Sequence, residues 1–443
     1  MKDTVPDEIH RLFDRARRAA DAVELTYADS HSTSAHFESN HLKYINTRSV
    51  RGVGLRVIHE GRIGHTSTTD FGDLNHLADR AIESSRFGQK ARFAFPGSTG
   101  APQVRLYDEA IDALTPERAV RIGREGIERV LAEFPDVDCS ADVGWSTGCR
   151  ALMNSTGLNL FERGTSFSKG LSCLQIHGES LVWTDEGDSA RRFDPAMLPH
   201  ADKVCSWLRL ARREIQIGVE ELPVIFTPKC LGLVLESFEA NLNGKAEQKG
   251  VSLLAGREGE TVADERITLC DDPLVDDATG SYRFDGEGLP GHAKALIERG
   301  RLRNLIYDLQ TGGILGKSPT GNGLGGFASA PAPDFANLRL KAGETPYAQM
   351  IQSCERGLLV DGVLGAGQSN VLAGDFSVNL ELGFLIEKGE IVGRVKNAML
   401  AGNAFEAFRN VGRISRETEW HGDDEFPYVE FLGLVISGKE GRL

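Results

Sequence analysis

Glycine supplies 50 of the 443 residues, above the roughly 7 % of an average globular chain, and it recurs with no fixed period. Glycine at this density costs helix stability and marks turns. A helical bundle is therefore disfavoured, and a chain of strands joined by turns is favoured. The segments between the glycines agree. Val23–Ala28, Ser34–Glu38, Leu42–Asn46, Val50–His59 and Arg62–Thr68 are short and alternate apolar with polar residues, the period of a half-buried strand. Glu60-Gly61 is placed to turn the last two into a hairpin. Strand-like stretches return from Val137 to Val182 and again at Leu222–Phe226, and the chain beyond is strand-rich and punctuated by glycine.

Helices are interleaved with these runs. Pro6 suits a first helical turn, with Asp7 and Glu8 at its positive end and Ile9, Leu12, Phe13, Ala16 and Ala20 on one face. A second helix is expected near Leu74–Arg86, before the Pro/Gly stretch Phe95–Pro102. Thr115 and Pro116 open a third, with Ala119, Ile122, Ile127, Val130 and Leu131 as its apolar positions. Another spans about Pro195–Glu214. Thr227 and Pro228 then start a helix whose Leu231, Val234, Leu235, Phe238 and Leu242 form one stripe, and a last one runs from Thr345-Pro346 to Cys354. The order helix-then-strands occurs in 1–68 and again in 115–182, a candidate divergent repeat. With a boundary near Gly218–Glu221, the expected architecture is α+β. It has two domains, 1–217 and 218–443, of mostly antiparallel sheet with flanking helices.

Charge and composition exclude some tasks. Sixty-four acids against fifty Lys and Arg give a net charge of −14, which repels polyanions and argues against direct nucleic-acid binding. No apolar run approaches the ~18–20 residues of a membrane helix, and the charged N-terminal segment shows no secretory h-region. Seven cysteines stand singly with no CxxC, as expected of buried free thiols in a reducing cytoplasm.

The isolated chemical signals are weak. His59 and His65 are separated by Gly61 and Gly64 in a strand–turn–strand pattern, which does not give two imidazoles one helical turn apart. His31, His36 and His41 read as solvated, and His177 as a structural histidine of a strand. Gly321, Gly323 and Gly326 match GxGxxG, but Ala330-Pro331-Ala332-Pro333 follows instead of a helix. The stretch also suits close approach to a peptide backbone, beside the plainer reading of a surface loop. Neither a P-loop nor a GxSxG elbow occurs. The densest carboxylates are Asp271, Asp272, Asp276, Asp277, Asp285 and Glu287. They read mainly as turn residues, with cation binding or acid–base work as the other use.

Several ordered segments carry a family resemblance. DDPLVDDATGSYRFDGEG (Asp271–Gly288) and ALIERGRLRNLIYD (Ala295–Asp308) resemble the TldD/TldE family, also called PmbA or modulator-of-gyrase proteins. QKGVSLLAGREGE (Gln248–Glu260), GDFSVNLELGFLIEKGEIVGRV (Gly374–Val395) and NAMLAGN (Asn397–Asn403) are similar to it too, and His41–Thr68 more loosely. The resemblance implies a zinc peptidase system acting on unfolded or extended peptides. Its TldD branch carries HExxxH on a helix, with a later cysteine as ligand. Those positions map here onto Leu235, Glu236 and Ala240, and the cysteine onto Leu364; no histidine occurs between His200 and His292. Leucine and alanine offer a metal no lone pair, so the chain resembles the TldE branch. That implies no catalytic, cofactor or metal residue in this chain and zinc in a TldD-type partner. It also implies a heterodimer with that partner, or a homodimer when alone, and an extended peptide as substrate. Two other readings are an autonomous hydrolase using Asp285, Glu287 and His292, and an interaction protein modulating a partner such as DNA gyrase.

Overall fold

The computed structural model describes residues 5–98, 100–178 and 180–438. Among these residues the strands form a six-stranded sheet, a twelve-stranded sheet and a two-stranded ribbon. The fold is α+β and mostly antiparallel, as the glycine and alternation patterns predict.

The six-stranded sheet contains β1 (Ala22–Glu38), β2 (His41–His59), β3 (Arg62–Thr68), β4 (Asp138–Asn154), β5 (Asn159–His177) and β6 (Ser180–Ala190). Its spatial order is β3-β2-β1-β4-β5-β6. Each half is thus a three-stranded meander that follows one helix, Asp7–Ala19 or Pro116–Leu131, and precedes another, Leu77–Ser85 or Leu198–Ala211. The halves join through antiparallel pairing of β1 with β4. Glu60 and Gly61 both have positive φ, 51° and 70°, as a two-residue primed hairpin turn requires.

The sequence divides β1 and β2 into two strands each, whereas the structure runs each through without a break. Asp29–Thr33 carries no apolar alternation, yet its backbone pairs with β2 on one side and β4 on the other. Ladder hydrogen bonds on both edges hold a strand whose side chains alone do not announce it. Helix boundaries also move inward. Leu74 falls in a short 3-10 turn, Phe71–His76, ahead of the helix Leu77–Ser85, and the helix expected from Pro195 begins at Leu198. Thr115 and Thr227 occupy the predicted N-cap positions, but neither side chain makes a capping bond.

One face of the six-stranded sheet packs on these helices. Val23, Leu25, Val53 and Leu55 meet Ile9, Leu12, Leu77 and Ala81, while Val143, Leu171 and Cys173 meet Ile122, Val130, Val204 and Leu208. The second sheet is assembled from 214–438. Its centre pairs Asp424–Gly438 with Val219–Phe226 and the latter with Arg356–Leu364. Helix Pro228–Leu242 lies on it with the predicted stripe sealed: Leu231, Val234, Leu235, Phe238 and Leu242 are each 0 % exposed. Burial of such side chains contributes ~1.5–3 kcal/mol apiece. Phe238 also packs against the rings of Phe405 and Phe408, with centroids 4.9 and 4.8 Å away. The two sheets share core at one edge, where Trp207 stacks on Phe384 at 5.3 Å. Six of the seven cysteines are buried and all are free thiols. No helix among the described residues is long and apolar enough to cross a membrane.

Candidate functional site

Two places gather the residues that sequence and resemblance single out. The first is helix Pro228–Leu242. Its i, i+3, i+4 stripe puts Leu235 at 0 % exposure inside the core of the second sheet. Glu236 points out and Ala240 is half-buried. Leu364 ends the strand Arg356–Leu364 and is 52 % exposed. Beside this face Glu239 is pushed up to about 7 by burial, reinforced by Asp424, Glu236 and Asp334. Burial likewise raises Asp424 to about 6. Leu235 and Ala240 give zinc no donor, and Glu236 alone cannot hold it, so the residues of this helix do not fit a zinc site. Among the described residues, no three His, Cys, Asp or Glu side chains converge as a metal would need.

The second place lies at the contact between the two sheets. Phe284-Asp285-Gly286-Glu287 turns tightly against the outer face of the six-stranded sheet, opposite its helices. There Asp285 and Glu287 are each 0 % exposed. Arg56 of β2 lies between two acids: its Nε donates to Glu24 Oε1 at 2.9 Å and its Nη1 to Glu287 Oε1 at 2.8 Å. Leu309 N donates to Glu287 Oε2 at 2.7 Å. Asp285 accepts from the backbone N–H groups of Glu287, Leu289 and Gly323. The Arg56 guanidinium also lies 5.1 and 5.2 Å from the ring centroids of Phe93 and Phe95. One guanidinium thus bridges two buried carboxylates, with the third, Asp285, next to Glu287. Burial pushes Glu24 up to about 7, opposed by Arg56 and reinforced by Glu287 and Asp285. Burial also raises Asp285 and Glu287.

His292 does not join this group. It is exposed, and its Nδ1 lies 3.4 Å from Pro290 O. The Asp285–Glu287–His292 constellation is therefore not assembled, because the turn sends the carboxylates inward and the imidazole outward. Glu24 and Arg56 carry no motif; each is signalled only as a charged residue inside a strand-like run, Val23–Ala28 and Val50–His59. The remaining acids behave as turn and strap residues: Asp271 pairs with Lys294 at 3.1 Å, and Asp277 with Arg105 at 2.6 Å.

The glycine segment Gly321–Ala328 is not a free surface loop. A Cβ at Gly323 would lie 2.4 Å from Glu287 Oε2, so glycine there admits the buried carboxylate. Phe327 packs over β2, where Gly52 and Gly54 leave room for its ring and backbone. The histidines are equally dispersed. His59 pairs across the hairpin with Arg62, and His65 with Arg56. His36 meets Asp142 at 2.8 Å, and His31 meets Ser49. His41 is exposed, and the side chain of His177 lies outside the described residues.

Comparison with known proteins places this architecture. Residues 219–438 match the PmbA/TldA metallopeptidase C-terminal domain and residues 23–85 match PmbA/TldA metallopeptidase domain 1. A Methanocaldococcus jannaschii protein described as uncharacterised is 25 % identical over 439 residues, covering 97 % of this chain and all of that one. A Haemophilus influenzae metalloprotease TldD homolog is 30 % identical over 223 residues, 50 % of this chain and 44 % of that one. Among solved structures, TldE from Thermococcus kodakarensis superposes with a TM-score of 0.90 at 23 % identity, over 97 % of this chain and 100 % of that one. A putative modulator of a DNA gyrase from Thermotoga maritima superposes with a TM-score of 0.88 at 20 % identity, over 97 % and 99 %. These two likenesses establish the fold. With both domain matches in their expected order along the chain, this protein belongs to the PmbA/TldD metallopeptidase family.

Proposed function

We propose that this chain is the TldE-type, non-catalytic subunit of a metallopeptidase complex whose TldD-type partner carries the zinc and acts on extended peptides. The observation that carries this reading is the helix Pro228–Leu242. The positions that the resemblance assigns to zinc-binding histidines hold Leu235, sealed in the core, and Ala240. An imidazole at position 235 would have to leave that stripe or bring a metal into it. The chain then has no metal step of its own. Its contribution is to close the chamber and hold substrate, while the partner's zinc polarises the scissile carbonyl. Exposed strand edges suit such holding, since backbone hydrogen bonds to an extended chain give affinity with little sequence demand.

The test is reconstitution. The TldD-type chain encoded in the same genome is purified alone, this chain alone, and the two together. The reading expects a stable complex of both chains with about one zinc, and peptide hydrolysis far above that of either chain. Failure to associate, or equal activity without this chain, refutes it.

A further inference from the structure

A cavity lined by none of the residues of helix Pro228–Leu242 has the chemistry of an anion site. It encloses about 430 Å³ between the outer face of β4 and β5 and the segment Gly280–Tyr282. That volume lies within the roughly 300–1,000 Å³ of organic-ligand sites and far exceeds what a bare inorganic ion occupies. Its floor is made of small residues, Ser146, Gly148, Gly164 and Ser166, and Tyr282 and Leu324 add apolar wall. The charged residues around it are Arg150, Arg163 and Arg191 against Asp29 and Glu162, an excess of one cation.

Arg150 is matched by Glu162, and Arg163 lies over the Tyr107 ring at 4.4 Å. No carboxylate among the described residues lies within ion-pair distance of Arg191. Its Nε donates to Ala278 O at 3.1 Å, its Nη2 to Thr279 O and Ser281 O at 2.7 and 3.2 Å, and its Nη1 to Thr165 O at 3.4 Å. A guanidinium has five N–H donors; these bonds use four, and the fifth is on Nη1. Gly164 lets Nη1 lie against the strand, since a Cβ there would sit 2.7 Å from it, and both residues line the cavity. A buried charge without a counter-charge is costly. Here desolvation is the largest influence on Arg191 and lowers its pKa, Glu162 and Asp423 oppose it from beyond ion-pair distance, and Arg150 adds to it.

We propose that this cavity binds the C-terminal carboxylate of an extended peptide, with Arg191 Nη1 as the charged donor and the Ser/Gly floor under the last residues. A carboxylate supplies a negative charge at ion-pair distance, which no side chain among the described residues gives Arg191. The small floor residues let a main chain lie close to the sheet, and the volume accommodates more than the carboxylate itself. The assignment rests on the peptide-handling reading above for its substrate class, but its test uses this chain alone and needs neither partner nor hydrolysis.

The experiment is calorimetric titration of the full chain with tetra-alanine bearing a free C-terminus, with the same peptide as its C-terminal amide, and with inorganic phosphate. The free acid is expected to bind at least about tenfold tighter than the amide. Gly164→Ala, which keeps the Arg191 side chain but displaces its Nη1 from this position, should lower free-acid affinity about tenfold. Arg191→Met should abolish the difference between acid and amide, and thermal melts of both variants check that they remain folded. Equal binding of acid and amide, binding of phosphate but not peptide, no binding of any probe, or full affinity in a folded Gly164→Ala variant would each overturn the assignment.

Discussion

Replacing Glu24 by glutamine tests whether the buried junction between the sheets is charged in the way its geometry dictates. Burial holds the Glu24 carboxyl near 7, against 4.5 for the free side chain. At ~1.4 kcal/mol per pKa unit, that gap corresponds to about 3 kcal/mol. The sign follows from proton uptake. Between pH 4.5 and pH 7 the folded state holds a proton on Glu24 that the unfolded chain has released. Folding stability therefore falls as pH rises through this window. The contribution is fully present below pH 4.5 and lost above pH 7. Glutamine keeps the side-chain shape and an acceptor for Arg56 but cannot titrate. Urea unfolding of wild type and Glu24→Gln from pH 4.5 to 8 reads the difference. The variant should gain about 3 kcal/mol relative to wild type across that range, beyond any constant offset. Parallel stability curves would show that Glu24 is ionised throughout and that Arg56 outweighs its desolvation.

Three further substitutions probe the packing. Lys229→Met strips the partner, 2.9 Å away, from Asp361, whose side chain is 0 % exposed; a loss of ~3–5 kcal/mol is expected by chemical denaturation, partly recovered by adding Asp361→Asn. Gly52→Val would place a Cβ 2.2 Å from the Phe327 ring and should cost ~1–3 kcal/mol. Combining it with Phe327→Ala should cost less than the sum of the two, and strict additivity would mean that the ring does not rest on β2. Leu235→Ala should cost ~2–5 kcal/mol, and a thermal melt unchanged within ~1 °C would remove this position from the core.

The legible parts of the fold were those where one side-chain pattern sufficed. The stripe Leu231–Leu242 and the Glu60-Gly61 turn are local, and each appears where periodicity or turn chemistry puts it. The family's ordered segments were legible for a different reason, since several motifs in sequence carry more information than any one. What local pattern did not reveal depends on long-range pairing. The polar middle of β1 is a strand because two neighbours complete its ladder. Glu24 and Glu287 are more than 260 positions apart and meet only through Arg56. The carboxylates of the Asp285 turn read mainly as turn residues because nothing nearby in sequence says that a sheet will close over them.

Leu235 shows why the family's chemistry is sensitive to so few positions. On helix Pro228–Leu242 the residue that the resemblance assigns to a metal ligand is also part of the stripe packed against the second sheet. Such a position has two stable solutions. An imidazole there leaves polar nitrogens in the interior, at a cost of roughly 1–3 kcal/mol each unless a partner accepts them, and a bound metal with its other ligands is that partner. A leucine needs no partner and contributes ~1.5–3 kcal/mol by burial. Once one ligand is replaced by leucine, the remaining polar ligands lose the metal that compensates them, and apolar or small residues at those places become the more stable choice. Ala240, half-buried beside an exposed Glu236, agrees with that outcome. On the proposed reading, a chain can keep the fold of its family while the helix that the resemblance assigns to the ligands packs as ordinary core.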